Sequence, residues 1–154
     1  MLRAISALAA LTLVLMAHPG HASELMACGS MQLPLMEYQR TSQGYHGAHH
    51  GVDLVAPAGS VIMSAQSGVV TFVGWNGPYG RMVEITHEDG ITTRYGHLKS
   101  WVTGLRPGMV VVQGQEIGRV GSSGTSTGPH LHFEVRVAGQ HTDPVVWLGM
   151  KKCR

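Results

Sequence analysis

Three observations predict an all-β fold for this 154-residue chain: a compact sandwich- or barrel-like domain of short antiparallel strands with one short C-terminal helix. Turn signals recur at short intervals, at Ala58-Gly59, Asn76-Gly77-Pro78, Asp89-Gly90, Pro107-Gly108, Gly114 and Ser122-Ser123-Gly124. Runs rich in β-branched and apolar residues lie between them, and no helical period holds beyond a single turn. Short strands separated by glycine turns are how sandwiches and barrels are written in sequence.

The elements follow in order. Arg3, the apolar run Ala4–Met16 and the small residues up to Ala22 describe a secretory signal peptide over residues 1–22. The run is too short for a membrane span, which needs ~20 residues, so no transmembrane span is expected in the mature chain. Residues 23–43 carry weak periodicity and three methionines (Met26, Met31 and Met36), and read as an extended lead-in and candidate lid. A single domain over 44–150 follows, with strands expected at Val52–Val55, Val61–Met63, Gly68–Trp75, Arg81–His87, Ile91–His97, Glu116–Val120 and Leu131–Val137. Glu88-Asp89-Gly90 reads as a tight hairpin turn. Pro144–Leu148 is the one short helix, with Asp143 as its cap and proline at its first position. Residues 151–154 form a tail.

Composition removes several function classes. The net charge of +2 carries no basic stripe outside Lys151-Lys152-Cys153-Arg154, whereas nucleic-acid binding requires one. Two similar segments, Ala65–Gly74 and Val112–Gly121, resemble a lipoyl-carrier barrel, but neither holds the lysine that such a carrier modifies. The only cysteines, Cys28 and Cys153, suit a disulfide in an exported protein. Closing so long a loop stabilises a fold by ~4–5 kcal/mol in the chain-entropy model. The rival reading makes Cys28 a lipidation site, against which Met26 and the distance from the apolar run both argue.

Chemistry concentrates in two stretches, His49-His50-Gly51-Val52-Asp53 and Gly128-Pro129-His130-Leu131-His132-Phe133-Glu134. Strand alternation puts His130 and His132 on one face, with Leu131 and Phe133 on the other. Two imidazoles on a rigid strand, joined by a His/Asp pair from elsewhere, give the N/N/O donor set that zinc uses when one position stays open for water or substrate. An unpaired Asp53 at the start of an apolar strand would be costly to bury, and a metal or an arginine offsets that cost. Glu134 shares a face with His132 and is a candidate acceptor for its second ring N–H. His87 and His141 stand beside turn residues and are expected to be solvated. Trp75, Trp101 and Trp147 are expected in the core or at its rim. The loops Thr41–Ala48 and Asn76–Gly80, with Tyr45 and Tyr79, are candidate groove walls.

The motif His49-x-Gly51-x-Asp53 before Leu54-Val55-Ala56-Pro57, then Tyr95-Gly96-His97-Leu98, then Gly121 through Pro129-His130-Leu131-His132-Phe133-Glu134, resembles the M23 (lysostaphin-type) zinc metallopeptidase family over roughly residues 44–148. The resemblance implies that His49, Asp53 and His132 bind one Zn2+ per chain, and that His97 and His130 are the catalytic histidines. It also implies a metal-dependent endopeptidase acting on peptide cross-links of bacterial peptidoglycan. With the signal peptide, it implies a periplasmic or secreted protein, expected as a monomer. No helix carries H-E-x-x-H, so His97 and His130 are the remaining groups with an ordinary pKa near neutrality. A non-enzymatic cell-wall regulator or metal-binding module is the alternative; retention of all five positions argues against it.

Overall fold

The structure, a computed structural model, describes residues 29–151. The expected signal peptide, Cys28 and Cys153 lie outside these residues. Among the described residues no helix is long and apolar enough to cross a membrane.

Among the described residues eleven strands form two antiparallel sheets. The larger runs in the order β1 (Arg40–Gln43), β2 (Val52–Val55), β10 (His130–Val137), β6 (Ile91–Gly96), β5 (Arg81–Thr86), β4 (Gly68–Trp75) and β8 (Val110–Val111), with β11 (Gln140–Thr142) also paired to β10. The smaller sheet is β3 (Val61–Met63), β9 (Glu116–Val120) and β7 (Leu98–Trp101). Inward-facing Val52, Leu54, Leu131, Phe133 and Ile117 are all fully buried, so the core lies where the two sheets meet. The helix α1 (Pro144–Trp147) starts as expected: the Asp143 carboxylate accepts the Val145 N–H at 3.2 Å.

Four strands were not expected from the sequence: β1, β7, β8 and β11. They are short: β1 buries none of its four residues fully, and β7 and β8 bury one each, Leu98 and Val111. One buried side chain or none leaves little apolar pattern to read. The Glu88–Gly90 turn is irregular, with Asp89 at φ 56° and Gly90 at φ 69°, and is closed by His87 N–H to Ile91 O at 2.8 Å. Trp147 enters the core at 7% exposure and Trp101 is half-buried, but Trp75 is 62% exposed at the end of β4. The lead-in is packed rather than free: Met31 and Leu35 are buried, and Gln32 N–H bonds Ala65 O at 2.9 Å.

His87 corrects an expectation, being 6% exposed instead of solvated. Its Nδ1–H donates to Ser67 O (2.9 Å), and its Nε2 faces the Thr93 hydroxyl (2.7 Å). The chain continues through the Tyr95 hydroxyl, 3.0 Å from Thr93 Oγ1, to the Ala65 N–H, which donates to Tyr95 at 2.9 Å. Gly68 leaves the ring its place, since a Cβ there would meet Nδ1 at 2.7 Å. The Thr93 hydroxyl donates to the Tyr95 oxygen, and the His87 ring is enclosed among these groups.

Burial accordingly pushes the His87 pKa down, partly opposed by the Ser67 carbonyl. A depressed folded-state pKa means that the stabilisation is complete above the unfolded value of ~6.5 and is lost as pH falls below it. His87→Gln is therefore expected to cost about 1–3 kcal/mol near pH 7.5, with a smaller cost at pH 5. Chemical denaturation at both pH values checks this; a cost independent of pH would refute a neutral His87 in the folded state.

Candidate metal centre and catalytic cleft

Register builds the site. β10 lies between β2 and β6, with His132 opposite Asp53 on one side and Gly96 on the other. Alternation that sends Val52, Leu54, Leu131 and Phe133 into the core turns Asp53, His130, His132 and Glu134 to the opposite face. Directly opposite residues have Cβ atoms ~5 Å apart, so the side chains of Asp53 and His132 must meet. His49 arrives from the loop ahead of β2. Gly51 makes room for the meeting, because a Cβ there would lie 2.6 Å from Phe133 O and 2.8 Å from the His132 ring.

Three donor atoms converge. Asp53 Oδ1 is 2.8 Å from His132 Nδ1 and 3.1 Å from His49 Nε2, and the two nitrogens are 3.2 Å apart. Among the described residues this is the one group of three or more such side chains placed to share an ion. Tetrahedral ligation at ~2.0–2.2 Å sets donor–donor distances of ~3.3–3.6 Å, so the donors need to open by less than about 1 Å. Each imidazole is oriented through its other nitrogen: His49 Nδ1–H donates to Gly44 O (2.9 Å) and His132 Nε2–H to Glu134 Oε1 (3.2 Å). That leaves His49 Nε2 and His132 Nδ1 as lone-pair donors, the arrangement expected around a divalent cation.

The electrostatics agree. Burial disfavours charge on His132, but the Asp53 and Glu134 carboxylates override it and push its pKa up to about 9. Burial likewise opposes ionisation of Glu134, yet His132, Tyr79 and Arg136 together hold its pKa at about 2. Asp53 is also held below its ordinary value, by His132, His130 and His49 acting against burial. Two ionised carboxylates flanking buried imidazoles form a pocket that attracts positive charge.

His97 and His130 stand beside this triad without contributing a donor to it. His97, 7% exposed, sits at φ 63°, a left-handed conformation uncommon outside glycine and asparagine. Its Nδ1–H donates to Ser123 O at 2.8 Å, and its backbone N–H to Tyr79 O at 2.8 Å. Burial lowers its pKa, so the ring is neutral near pH 7. His130 Nδ1–H donates to Gly128 O at 2.9 Å, leaving Nε2 3.6 Å from Asp53 Oδ1. The two rings meet edge to face with centroids 4.7 Å apart.

The Asn76–Arg81 turn and the Gly121–Thr125 loop interlock around His97. Gly80 (φ 64°) and Gly124 (φ 74°) touch so closely that a Cβ on either would run into the other's backbone. Ser123 Oγ accepts the Arg81 N–H at 2.9 Å and donates to Leu98 O at 2.8 Å.

All five residues line an open groove of about 430 Å³, a size suited to a short peptide segment. Pro78 and Tyr79 line it as expected, but Tyr45 does not; its hydroxyl donates to His141 O at 3.3 Å. Gln43 is the only described residue of the lead-in that reaches the groove. From the expected Thr41–Ala48 wall, Gln43 and Ala48 reach the groove; the sequence did not point to the hydroxyl-bearing wall Thr125–Thr127. His141 is half-buried, not solvated: its ring stacks on His50 with centroids 4.2 Å apart, and its Nε2 is 3.6 Å from Glu134 Oε2.

The Peptidase family M23 model matches residues 47–144, which span every strand that carries the site. The chain is 44% identical over 97 residues to the DD-carboxypeptidase/endopeptidase Mpg of Neisseria meningitidis, covering 63% of this chain and 22% of that protein. It is 43% identical over 97 residues, with the same coverages, to the peptidoglycan DD-endopeptidase ShyC of Vibrio cholerae. A zinc-containing peptidase from Vibrio cholerae superposes with a TM-score of 0.68 at 30% identity, over 80% of this chain and 40% of that one. The chain thus spans about a fifth of the length of these curated relatives. With the family match extending over most of the described residues, and the same fold in a solved relative, the chain belongs to peptidase family M23.

Proposed function

We propose that this chain is a zinc-dependent endopeptidase that hydrolyses peptide cross-links of bacterial peptidoglycan. In this reading His49, Asp53 and His132 hold one Zn2+, and His97 and His130 manage protons. The observation that carries it is the convergence of Asp53 Oδ1, His49 Nε2 and His132 Nδ1 within 3.2 Å of one another at the floor of the groove. Zinc in such a site supplies Lewis acidity and brings the pKa of water toward ~7.

The chain's own residues do the rest. Their Nδ1 bonds to Ser123 O and Gly128 O keep His97 and His130 in the tautomer whose Nε2 is free to take a proton. One ring serves as base, and the other, once protonated, donates to the developing oxyanion or the leaving amine. The names of the Neisseria and Vibrio relatives favour a D,D-cross-link as substrate, the D-alanyl–diaminopimelate kind over a glycine bridge. Residues 1–22 act as the export signal, placing the mature chain in the periplasm or outside the cell.

Purified sacculi supply the test. Incubation with the zinc-loaded protein is expected to convert cross-linked muropeptide dimers to monomers, read by mass spectrometry of the released peptides. Chelation should stop the conversion and added zinc restore it. Dimers left intact by protein that demonstrably holds zinc would overturn the reading in favour of a non-enzymatic regulator.

A further inference from the structure

Glu134 is a shared acceptor whose loads are unequal. Its Oε1 receives the Tyr79 hydroxyl at 2.6 Å and the His132 Nε2–H at 3.2 Å. Its Oε2 receives Arg136 Nε at 3.1 Å and Nη2 at 3.0 Å. Glu134 is 1% exposed, so these bonds take place away from solvent, where charge-assisted hydrogen bonds are strong. Tyr79 therefore competes with His132 for one carboxylate oxygen and holds the shorter bond.

Tyr79 is fixed in that role by groups other than Glu134. Its carbonyl accepts the His97 N–H at 2.8 Å, its ring lies 3.4 Å from the place of a Cβ on Gly96, and the Arg94 guanidinium sits 5.8 Å from its ring centroid. Arg94 is itself held by Glu84 at 2.6 Å. Glu134 in turn is held by Arg136 whether or not Tyr79 donates to it.

We propose that the Tyr79 hydroxyl is a positioning residue that attenuates the Glu134–His132 hydrogen bond, and so weakens His132 as a metal ligand. A carboxylate accepting from the outer N–H of a ligand imidazole raises that ligand's basicity. A short competing bond to the same oxygen draws charge away and reverses part of the effect. The inference rests on the reading that His49, Asp53 and His132 bind zinc. It adds that the affinity is held below what these donors can give, which keeps the ion a stronger Lewis acid.

Zinc affinity, measured by competition with a chromophoric chelator, gives the test. Tyr79→Phe removes the competing donor without removing the ring, and is expected to tighten zinc binding ~3–10-fold, within the range of outer-shell effects. Glu134→Gln should weaken binding ~10–100-fold, and in that background Tyr79→Phe should change nothing. The visible spectrum of the Co2+-loaded protein should shift in Tyr79→Phe, which loss of packing alone does not predict. Replacing Tyr79 by difluorotyrosine, a stronger donor of nearly the same shape, is expected to weaken zinc binding, and keeps the sign testable if the Phe variant folds poorly.

Equal or weaker binding in Tyr79→Phe, or the same effect with and without the Glu134 carboxylate, overturns the inference. A wild-type protein that takes up no zinc would instead fail the underlying metal assignment, and the two failures are told apart in the first titration.

Discussion

Asp53→Ala is expected to abolish zinc retention and cross-link hydrolysis while leaving a folded chain. Asp53 Oδ1 is the atom the other groups share, at 2.8 Å from His132, 3.1 Å from His49 and 3.6 Å from His130. Removing it leaves two imidazoles and no anion, a set with neither the ligand count nor the charge that zinc uses. Outer-shell changes already cost ~10–100-fold in affinity, so losing a ligand should cost more, and the rate should fall by at least ~10³-fold. The fold survives because the neighbours Val52 and Leu54 point into the core from the other face of β2 and keep their pairing with β10. Thermal unfolding separates the two effects. A ligand at a thousand times its Kd stabilises the folded state by ~4 kcal/mol. Chelator should therefore lower the wild-type Tm and leave that of Asp53→Ala unmoved. Full turnover by the variant would remove Asp53 from the metal site.

The same face alternation explains why so much was legible. β2, β3, β4 and β9 begin and end where the runs Val52–Val55, Val61–Met63, Gly68–Trp75 and Glu116–Val120 predict, because each run is apolar or β-branched and bracketed by turn residues. The His130/His132 face and the His49/Asp53 pair could be read from spacing two and spacing four. What spacing could not supply was which strands are neighbours. The meeting of β2 with β10 places Asp53 beside a histidine 79 positions away, anticipated by the donor chemistry of the two stretches and by the family's motif order, not by any strand pairing read from the sequence.

The errors have the same origin. His87 stands next to a turn, where local sequence suggests solvent, yet Thr93 of β6 and Ser67 of the loop before β4 enclose it. Alternation placed Glu134 correctly beside His132, but it could not supply its shortest hydrogen bond, from Tyr79, 55 positions earlier in the chain. Short edge strands such as β1 and β8 were invisible because their pairing is carried by backbone groups, which are the same for every residue but proline. Legibility followed burial: the pattern was clear where side chains enter the core and absent where the backbone or a distant partner sets the structure.

His97 and His130 should separate from the metal-binding residues by their phenotype. Neither contributes an atom to the donor triad, and each is held through Nδ1 by a backbone carbonyl, Ser123 O for His97 and Gly128 O for His130. Substitution of either is expected to lower kcat by ~10²–10⁴-fold, the usual worth of a positioned proton-transfer group, with zinc content unchanged by elemental analysis. The choice of replacement matters at position 97. At φ 63°, alanine keeps the left-handed strain and deletes the ring, whereas asparagine tolerates that conformation. His97→Asn is thus the cleaner probe, with thermal stability near wild type. For His130, on a regular strand, alanine serves. If the two rings act as base and acid within one turnover, the double variant should lose less than the product of the single losses, because removing either already stalls the same sequence of proton transfers. A single variant that lost its zinc, or one that kept wild-type kcat, would strike that residue from the proton-handling pair.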